Sequence, residues 1–287
     1  MANLAGPTSY ETRTMTRGEL DFAVEMAARE GWNPGLHDAD SFYRADPAGF
    51  LIGLLNGTPI GCISAVSYQG GFGFLGFYIV APEHRGQGYG IQLWQRALEH
   101  LQDHNIGLDG VLEQQANYRK SGFQLAHRNI RYEGRIDTPG RENPRLLPVD
   151  QVSFPDLCAY DRTVFPAPRE EFLRSWTALP QSKAVALVEN EEIGGYGVIR
   201  PCRQGYKIGP LFASSAEAAE ALFTSLTAHA EPGAKVYLDV PETNPQALEL
   251  AERHGMTRVF ETARMYNGAA PQISTERLFG ITTFELG

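Results

Sequence analysis

The stretch VAPEHRGQGYG, residues 80–90, decides how this sequence is interpreted. It follows an apolar run, Phe72–Val80, that is typical of a buried strand, and it opens a segment with helical periodicity over residues 89–104. Glycines at 86, 88 and 90 allow the backbone to point its N–H groups at a ligand, and the helix start adds a positive dipole end. The stretch therefore predicts an anion site suited to a pyrophosphate, with Arg85 as a fixed positive charge.

Two common phosphate motifs do not fit this loop. A Walker A loop needs Gly-Lys before Ser or Thr, and the chain contains no Gly-Lys pair. The dinucleotide fingerprint G-x-G-x-x-G fails because its last position is Ile91. The spacing that does fit is R-x-x-G-x-G, formed by Arg85, Gly88 and Gly90.

This pattern, on a strand, loop and helix, resembles the acyl-CoA pyrophosphate loop of the GNAT superfamily of N-acetyltransferases. A second segment, Tyr118-x-Lys120-x-Gly122-Phe123, is similar to the Y-x-K-x-G-F segment that closes the GNAT core. The two motifs occur in the family's order, so the resemblance covers residues 10–134. It implies a mixed α/β (α+β) fold with a mostly antiparallel, twisted sheet flanked by helices.

The resemblance also implies where acetyl-CoA binds, as a co-substrate and with no metal. In GNAT proteins it lies between a splayed fourth and fifth strand, and a tyrosine at the place of Tyr118 often protonates the departing sulfur. The residues expected to bind it here are Ile79, Val80, Arg85, Gly86, Gln87, Gly88, Tyr89, Gly90, Asn117 and Lys120.

The general base is harder to assign. An alkylamine with a pKa near 10.4 costs about 4.6 kcal/mol to make neutral at pH 7, so a base or a water chain must take its proton. Many GNAT enzymes place a Glu on the fourth strand, but Phe72–Val80 contains no acid. Asp109 and Glu113, near the end of the fifth strand, are the nearest candidates by sequence, and a solvated or structural carboxylate is the alternative for each. Trp32 and Tyr78 are expected to line the acceptor pocket, with core packing as their alternative.

The element pattern repeats at an offset of 133 residues. Ile60-Gly61 corresponds to Ile193-Gly194, and residues 118–123 correspond to 251–256. We therefore expect two GNAT-like domains, at 1–136 and 149–287, joined by a linker at 137–148, with residues 273–287 as an added terminal strand. The second is expected to be degenerate and to roof the acceptor pocket, because Arg85, Gly88, Gly90 and Tyr118 correspond to Ala218, Ala221, Phe223 and Ala251.

Composition and net charge limit the kinds of partner and compartment that the sequence predicts. The chain of 287 residues has 34 acidic against 25 basic residues, a net charge of −9, which argues against nucleic-acid binding and fits an amine better. No run of 18 apolar residues exists, so no membrane span is expected. Three widely spaced cysteines and the lack of a signal peptide point to the cytoplasm.

His100 and His104 could form a metal pair, but the accompanying glutamate of known zinc motifs is missing.

The sequence thus predicts an N-acetyltransferase that moves an acetyl group from acetyl-CoA to a primary amine by direct attack. A small-molecule acceptor is expected, since a roofed pocket would exclude a folded protein tail. A protein or peptide amine is one alternative. A non-catalytic acyl-CoA-binding sensor is another, because the fourth strand lacks an acid. The acceptor, the acyl-chain preference and the oligomeric state are left open.

Overall fold

The computed structural model describes residues 9–135 and 143–287. The first half contains the predicted strand before the glycine loop and the predicted helix after it. In order, its elements are β1 (Tyr10–Thr14), α1 (Leu20–Arg29), α2 (Asp38–Ala45), β2 (Phe50–Leu55), β3 (Thr58–Tyr68), β4 (Phe72–Val80), α3 (Tyr89–His100), β5 (Asn105–Val111), α4 (Gln115–Lys120) and β6 (Gln124–Arg135).

The second half repeats this order and adds one strand, β13, at its end. Its elements are β7 (Leu146–Pro148), α5 (Phe154–Asp161), α6 (Glu170–Trp176), β8 (Lys183–Glu189), β9 (Glu192–Pro201), β10 (Tyr206–Ala213), α7 (Ala216–Thr227), β11 (Lys235–Pro241), α8 (Pro245–Arg253), β12 (Thr257–Tyr266) and β13 (Leu278–Gly280). Much of the predicted linker, residues 137–148, lies outside the described residues. Its last three residues form β7, which pairs with β8.

The described strands form one mixed sheet with the order β1-β2-β3-β4-β5-β12-β6-β11-β10-β9-β8-β7, and β13 pairs with β10. The mixed α/β fold is therefore as predicted. The two halves share a continuous sheet because they exchange their last strands: β12 lies between β5 and β6, and β6 lies between β12 and β11. The expected terminal strand within residues 273–287 is confirmed as β13.

Alternation along β3 shows how the sheet is covered. Cys62 and Val66 face a core cluster that also contains residues of α1, α2, α5 and α6, so this cluster joins both halves. Ile63 and Ala65 face the other side, where they pack with α3. Successive side chains of a strand point to opposite faces, so both faces of the sheet are covered by helices.

Two buried ion pairs tie the exchanged strands together. Arg131 on β6 donates to Asp239 on β11 through Nε at 2.6 Å and Nη2 at 2.8 Å. Arg264 on β12 donates to Asp109 on β5 through Nη2 at 2.6 Å and Nε at 2.8 Å. The two arginines are separated by the repeat offset (264 − 131 = 133), so each half places its arginine on the other half's aspartate.

The repeat also governs where the sheet opens. Parallel pairing of β4 with β5 ends at Leu75↔Leu108, and pairing of β10 with β11 ends at Ile208↔Leu238. Leu75 and Ile208 are again 133 residues apart. Just beyond each point the strand carries one extra residue relative to its other neighbour, which is a β-bulge that bends it away. Both halves therefore contain a V-shaped gap.

Among the residues that the structure describes, no helix is both long and apolar enough to cross a bilayer.

Candidate active site

A cavity of about 590 Å³ occupies the gap between β4 and β5. Its walls come from β4, β5, the loop of residues 81–88, α3 and α4 of the first half. Residues from β12 and from the segment after β13 complete it. The strand exchange and the terminal segment thus build part of a cavity that the sequence placed in the first half.

The glycine loop closes one end of the cavity. Gly86 and Gly88 both adopt positive φ, at 74° and 86°, which an L side chain disfavours. Gly88 is the N-cap of α3 and provides no side-chain cap, so the first N–H groups of this helix have no capping oxygen. A free helix N-terminus of this kind binds anions well.

Arg85 is held beside the loop. Its Nε donates to the carbonyl oxygen of Val80 at 2.8 Å, and its guanidinium forms an ion pair with Glu30. Both Arg85 and Glu30 line the cavity. The half-exposed guanidinium is therefore available at the same end as the open helix N-terminus.

Six of the ten predicted cofactor residues line the cavity, namely Ile79, Val80, Arg85, Gly86, Gly88 and Gly90. The other four lie outside its lining. The Gln87 side chain donates to the Glu83 carbonyl oxygen, and the Tyr89 ring packs against Tyr10 at 4.7 Å. Lys120 donates to Asn117 on the exposed side of α4.

Tyr118, on α4, lines the cavity. Its ring packs against Trp94 at 5.5 Å and over Gly110, where any Cβ would clash with it. Burial raises the pKa of Tyr118 well above its usual value, and the nearby Tyr78 raises it further. The phenol is therefore protonated at neutral pH, which is the form that can donate a proton.

The two predicted acceptor residues lie in different surroundings. Tyr78 packs against Trp94 at 5.3 Å, and its hydroxyl lies against Gly90, on the α3 side of the cavity. Trp32 packs against the core cluster shared by the two halves and, like Phe260, lines the cavity. Its carbonyl oxygen accepts from Arg131 at 2.7 Å, which fixes its position.

Asp109 also lines the cavity, but its carboxylate is fully engaged. Besides the two bonds from Arg264, Oδ1 accepts from Asn129 Nδ2 at 2.8 Å, and the side chain has no exposed surface. Its counterpart Asp239 makes the same kind of pair in the other half. This arrangement favours the structural alternative for Asp109, and its role as base stays a prediction.

The histidine pair is engaged elsewhere. His100 contacts Asp46 at 3.2 Å, and His104 hydrogen-bonds Ser67 at 2.8 Å. Within residues 9–135 and 143–287, no group of three or more His, Cys, Asp or Glu side chains is arranged to hold a metal ion.

Comparison with known proteins agrees with this geometry. The acetyltransferase (GNAT) family model matches residues 19–123, and a second model, an acetyltransferase (GNAT) domain, matches residues 157–280. A relative from Pseudoalteromonas sp. (strain SANK 73390), holothin acyltransferase, is 31% identical over 284 residues, which is 97% of this chain and 95% of the relative. The chain belongs to the GNAT acetyltransferase family. It contains two GNAT domains and is an acyltransferase.

Solved structures share the tandem fold. A putative acetyltransferase from Pyrococcus horikoshii superposes with a TM-score of 0.83 at 22% identity, over 100% of this chain and 99% of that one. A tandem GNAT protein from the clavulanic acid biosynthesis pathway has a TM-score of 0.63 at 12% identity, over 91% and 100%. At these identities the likeness shows the fold.

The second half contributes four residues to the GNAT cavity that were not anticipated from the sequence. Phe260 and Thr262 lie on β12, and Phe284 and Glu285 lie after β13. The Thr262 side chain is buried, and its Oγ1 has no partner among the described residues. No local signal marks these residues, because they reach the cavity through strand exchange and through the terminal segment.

The matching gap of the second GNAT domain is filled by its own chain. β13 pairs with β10 through Leu211↔Gly280, and the Ile281 N–H then donates to the Asp239 carbonyl oxygen on β11 at 2.9 Å. Asn244, the N-cap of α8, donates to the Leu278 carbonyl oxygen at 3.1 Å. Residues 209–212 thus contact this strand: a Cβ at Gly209 would clash with Thr282.

Proposed function

We propose that this protein transfers an acetyl group from acetyl-CoA to the primary amine of a small molecule. The observation that carries the proposal is the open gap between β4 and β5. It has an uncapped glycine loop at one end, a protonated Tyr118 on its wall, and aromatic side chains from both halves around it.

The first domain offers the groups that acetyl-CoA needs. Beyond Leu75, the edge of β4 has no strand partner on the β5 side in the part of the chain that the structure describes, so the backbone at Ile79 and Val80 is available to the pantetheine amides. The α3 N-terminus and Arg85 supply N–H groups and positive charge for the pyrophosphate. Arg85 then exchanges its ion pair with Glu30 for a contact with the bound anion.

The reaction proceeds by direct attack. The neutral amine nitrogen adds to the thioester carbonyl carbon, and a β4 backbone N–H stabilises the resulting oxyanion. The C–S bond then breaks, and the CoA sulfur takes the Tyr118 proton. A thiolate with a pKa near 8.5 is a weak leaving group in a buried site, so the proton donor lowers the barrier.

The acceptor side favours a compact, flat amine. Trp32, Phe260 and Phe284 line it, and Arg131 lies 4.7 Å from the Phe284 ring centre, which fixes that ring. Aromatic faces favour planar groups. The relative from Pseudoalteromonas is named for the acylation of holothin, so holothin belongs among the first acceptors to try.

The test is release of free CoA thiol from acetyl-CoA in the presence of an amine panel. The panel contains alkylamines, aromatic amines, holothin and a lysine-containing peptide. We expect release with one or more small amines and none above background with the peptide. Tight acetyl-CoA binding without release for any member would replace this proposal with an acyl-CoA sensor.

The control for the panel is the Arg85→Ala, Gly88→Ala double variant. At an acetyl-CoA concentration below the wild-type dissociation constant, release should fall in parallel with acetyl-CoA binding, because both substitutions act at the loop. Release at the wild-type rate under these conditions would mean that the observed thiol does not come from the proposed site.

A further inference from the structure

The segment after β13 brings an acidic side chain to the cavity. Residues 281–287 are all buried, and Glu285 among them lines the cavity. Its carbonyl oxygen accepts from Ser64 Oγ at 3.4 Å, and its N–H donates to Thr283 Oγ1 at 3.2 Å. The backbone of Glu285 is therefore fixed between β3 and its own turn.

Glycine at position 76 permits this placement. Gly76 is the first residue of β4 beyond its pairing with β5, and a Cβ there would clash with the Glu285 backbone. The next residues of β4, Phe77 and Tyr78, form the bulge that opens the gap. Glu285 thus lies at the opening of the V, beside the β4 edge along which the thioester of acetyl-CoA would lie.

Glu285 differs from the other buried acids in its partners. Asp38, Asp109, Asp161 and Asp239 each form an ion pair with an arginine. The Glu285 carboxylate, by contrast, accepts no hydrogen bond and has no ion pair within 4.0 Å in the ranges that the structure describes, although the residue is only 4% exposed. An unpaired buried carboxylate is costly, so it calls for a ligand.

We propose, on the basis of the function proposed above, that Glu285 is the general base that takes the proton of the acceptor amine. It supplies the acid that β4 lacks, from a segment more than 200 residues later in the chain. Its carboxylate first attracts the ammonium form of the acceptor into the aromatic pocket and then removes a proton from it.

The charges around Glu285 suit this role. Lys207 on β10, Arg131 on β6 and Arg200 on β9 favour its ionised form, while Asp38 on α2 opposes it. Arg131 and Arg200 are already paired with Asp239 and Asp38. Burial outweighs the cations and raises the pKa of Glu285 above its usual 4.5. A carboxylate with a raised pKa is a stronger base toward an amine.

The protons balance as follows. The ammonium ion gives one proton to Glu285, and the neutral nitrogen forms the new C–N bond. When the C–S bond breaks, the sulfur receives the phenolic proton of Tyr118. The second nitrogen proton, released as the amide forms, restores the Tyr118 phenol, and Glu285 passes its proton to solvent through the open side of the cavity.

Glu285→Gln tests the proposal, with kcat/KM measured for an alkylamine and for an aromatic amine that is already neutral at the assay pH. We expect a loss of about 100-fold or more for the alkylamine and a much smaller loss for the aromatic amine, because the latter needs no initial deprotonation. In the wild type, kcat/KM for the alkylamine should fall as the pH drops through the raised pKa of Glu285. This fall of kcat/KM at low pH should be absent in Glu285→Gln.

Two controls separate base catalysis from structure. Glu276→Gln changes an exposed acid just before β13 and should leave both rates unchanged. Glu285→Asp keeps a carboxylate and should recover part of the alkylamine rate. Calorimetric binding of acetyl-CoA, unchanged in Glu285→Gln, shows that the variant is folded.

Each outcome decides one question. Wild-type turnover with no loss in Glu285→Gln, or equal losses for both amines, overturns the role of Glu285 and leaves the proposed function intact. No turnover by the wild type with any amine overturns the proposed function and this role with it.

Discussion

The two gaps of this protein have the same construction and opposite contents. Both open at matching residues, Leu75 and Ile208, beyond which a bulge bends the strand. The first is a cavity of about 590 Å³, whereas the second contains β13, paired to β10 as an additional strand. A bulge is therefore not sufficient for a binding site, because the protein's own chain can pair with the strand edge that the bulge exposes.

The helices that follow β4 and β10, α3 and α7, differ in how their N-termini are capped. Gly88 starts α3 without a side-chain cap, whereas Ser215 starts α7 and its side chain accepts from the Ala218 N–H. A capped N-terminus has one fewer free donor for a phosphate. The second domain has thus satisfied internally the groups that the first leaves free for a ligand.

The largest effect is expected from the paired aspartates. Asp109→Asn and Asp239→Asn should each cost about 3–5 kcal/mol of unfolding free energy, since each leaves a buried arginine without its counter-charge. Denaturant unfolding of both variants measures this. Near-equal losses would show that Asp109 serves the sheet as Asp239 does. A fully stable Asp109→Asn without turnover would instead restore it as the base.

Tyr118→Phe is expected to act on chemistry alone. Turnover should fall by about 100-fold or more, because general acid catalysis contributes at least that much. The dissociation constant of acetyl-CoA should change little, since the ring still packs against Trp94. Rapid-mixing kinetics and calorimetry give the two numbers. A parallel loss of affinity and rate would remove Tyr118 as the proton donor.

Acetyl-CoA should bind at the glycine loop and at no second site on the chain. Arg85→Ala with Gly88→Ala should weaken binding by about 10- to 150-fold, the range for a lost hydrogen bond to a charged group. Wild type should bind one acetyl-CoA per chain. The reciprocal change, Ala218→Arg with Ala221→Gly, should create no second site, because β13 fills that gap. Two sites in calorimetry would contradict the comparison of the gaps.

The smallest effect is expected at the capped helix. Ser215→Ala should lower the unfolding free energy by about 1 kcal/mol, which is typical of a lost N-cap. Acetyl-CoA affinity and turnover should stay at wild-type values. Thermal unfolding and the CoA-release assay measure the two. A change in turnover would mean that the second domain communicates with the cavity through α7.

The elements and the loop could be predicted because their signals are local. The apolar run of β4, the glycines at 86 and 88, and the helical period after them each depend on a few neighbouring residues. The positive φ values at those glycines explain why that residue type was a reliable guide. The offset of 133 residues between the halves was also visible in the sequence. It recurs between Leu75 and Ile208, where β4 and β10 end their parallel pairings.

The exchange of strands could not be predicted in this way. The alternation along β12 is the same whether the strand pairs with β11 of its own half or with β5 of the other. Its partner is decided by long-range contacts such as the ion pair between Arg264 and Asp109. For this reason the sequence left Asp109 open between a general base and a structural carboxylate, and it gave no role to Thr262 or Glu285.

The exchanged strands also govern when the protein can mature during synthesis. When the ribosome has completed β6, the edges of β5 and β6 that β12 will join are still unpaired, and their partner lies more than 120 residues ahead. Unpaired strand edges can pair with other chains and aggregate. The nascent first half must therefore either fold late or be protected from other chains. The cavity gains its last wall when Phe284 and Glu285 emerge. Activity should therefore arise in a single late step, and the first domain expressed alone should not inherit it.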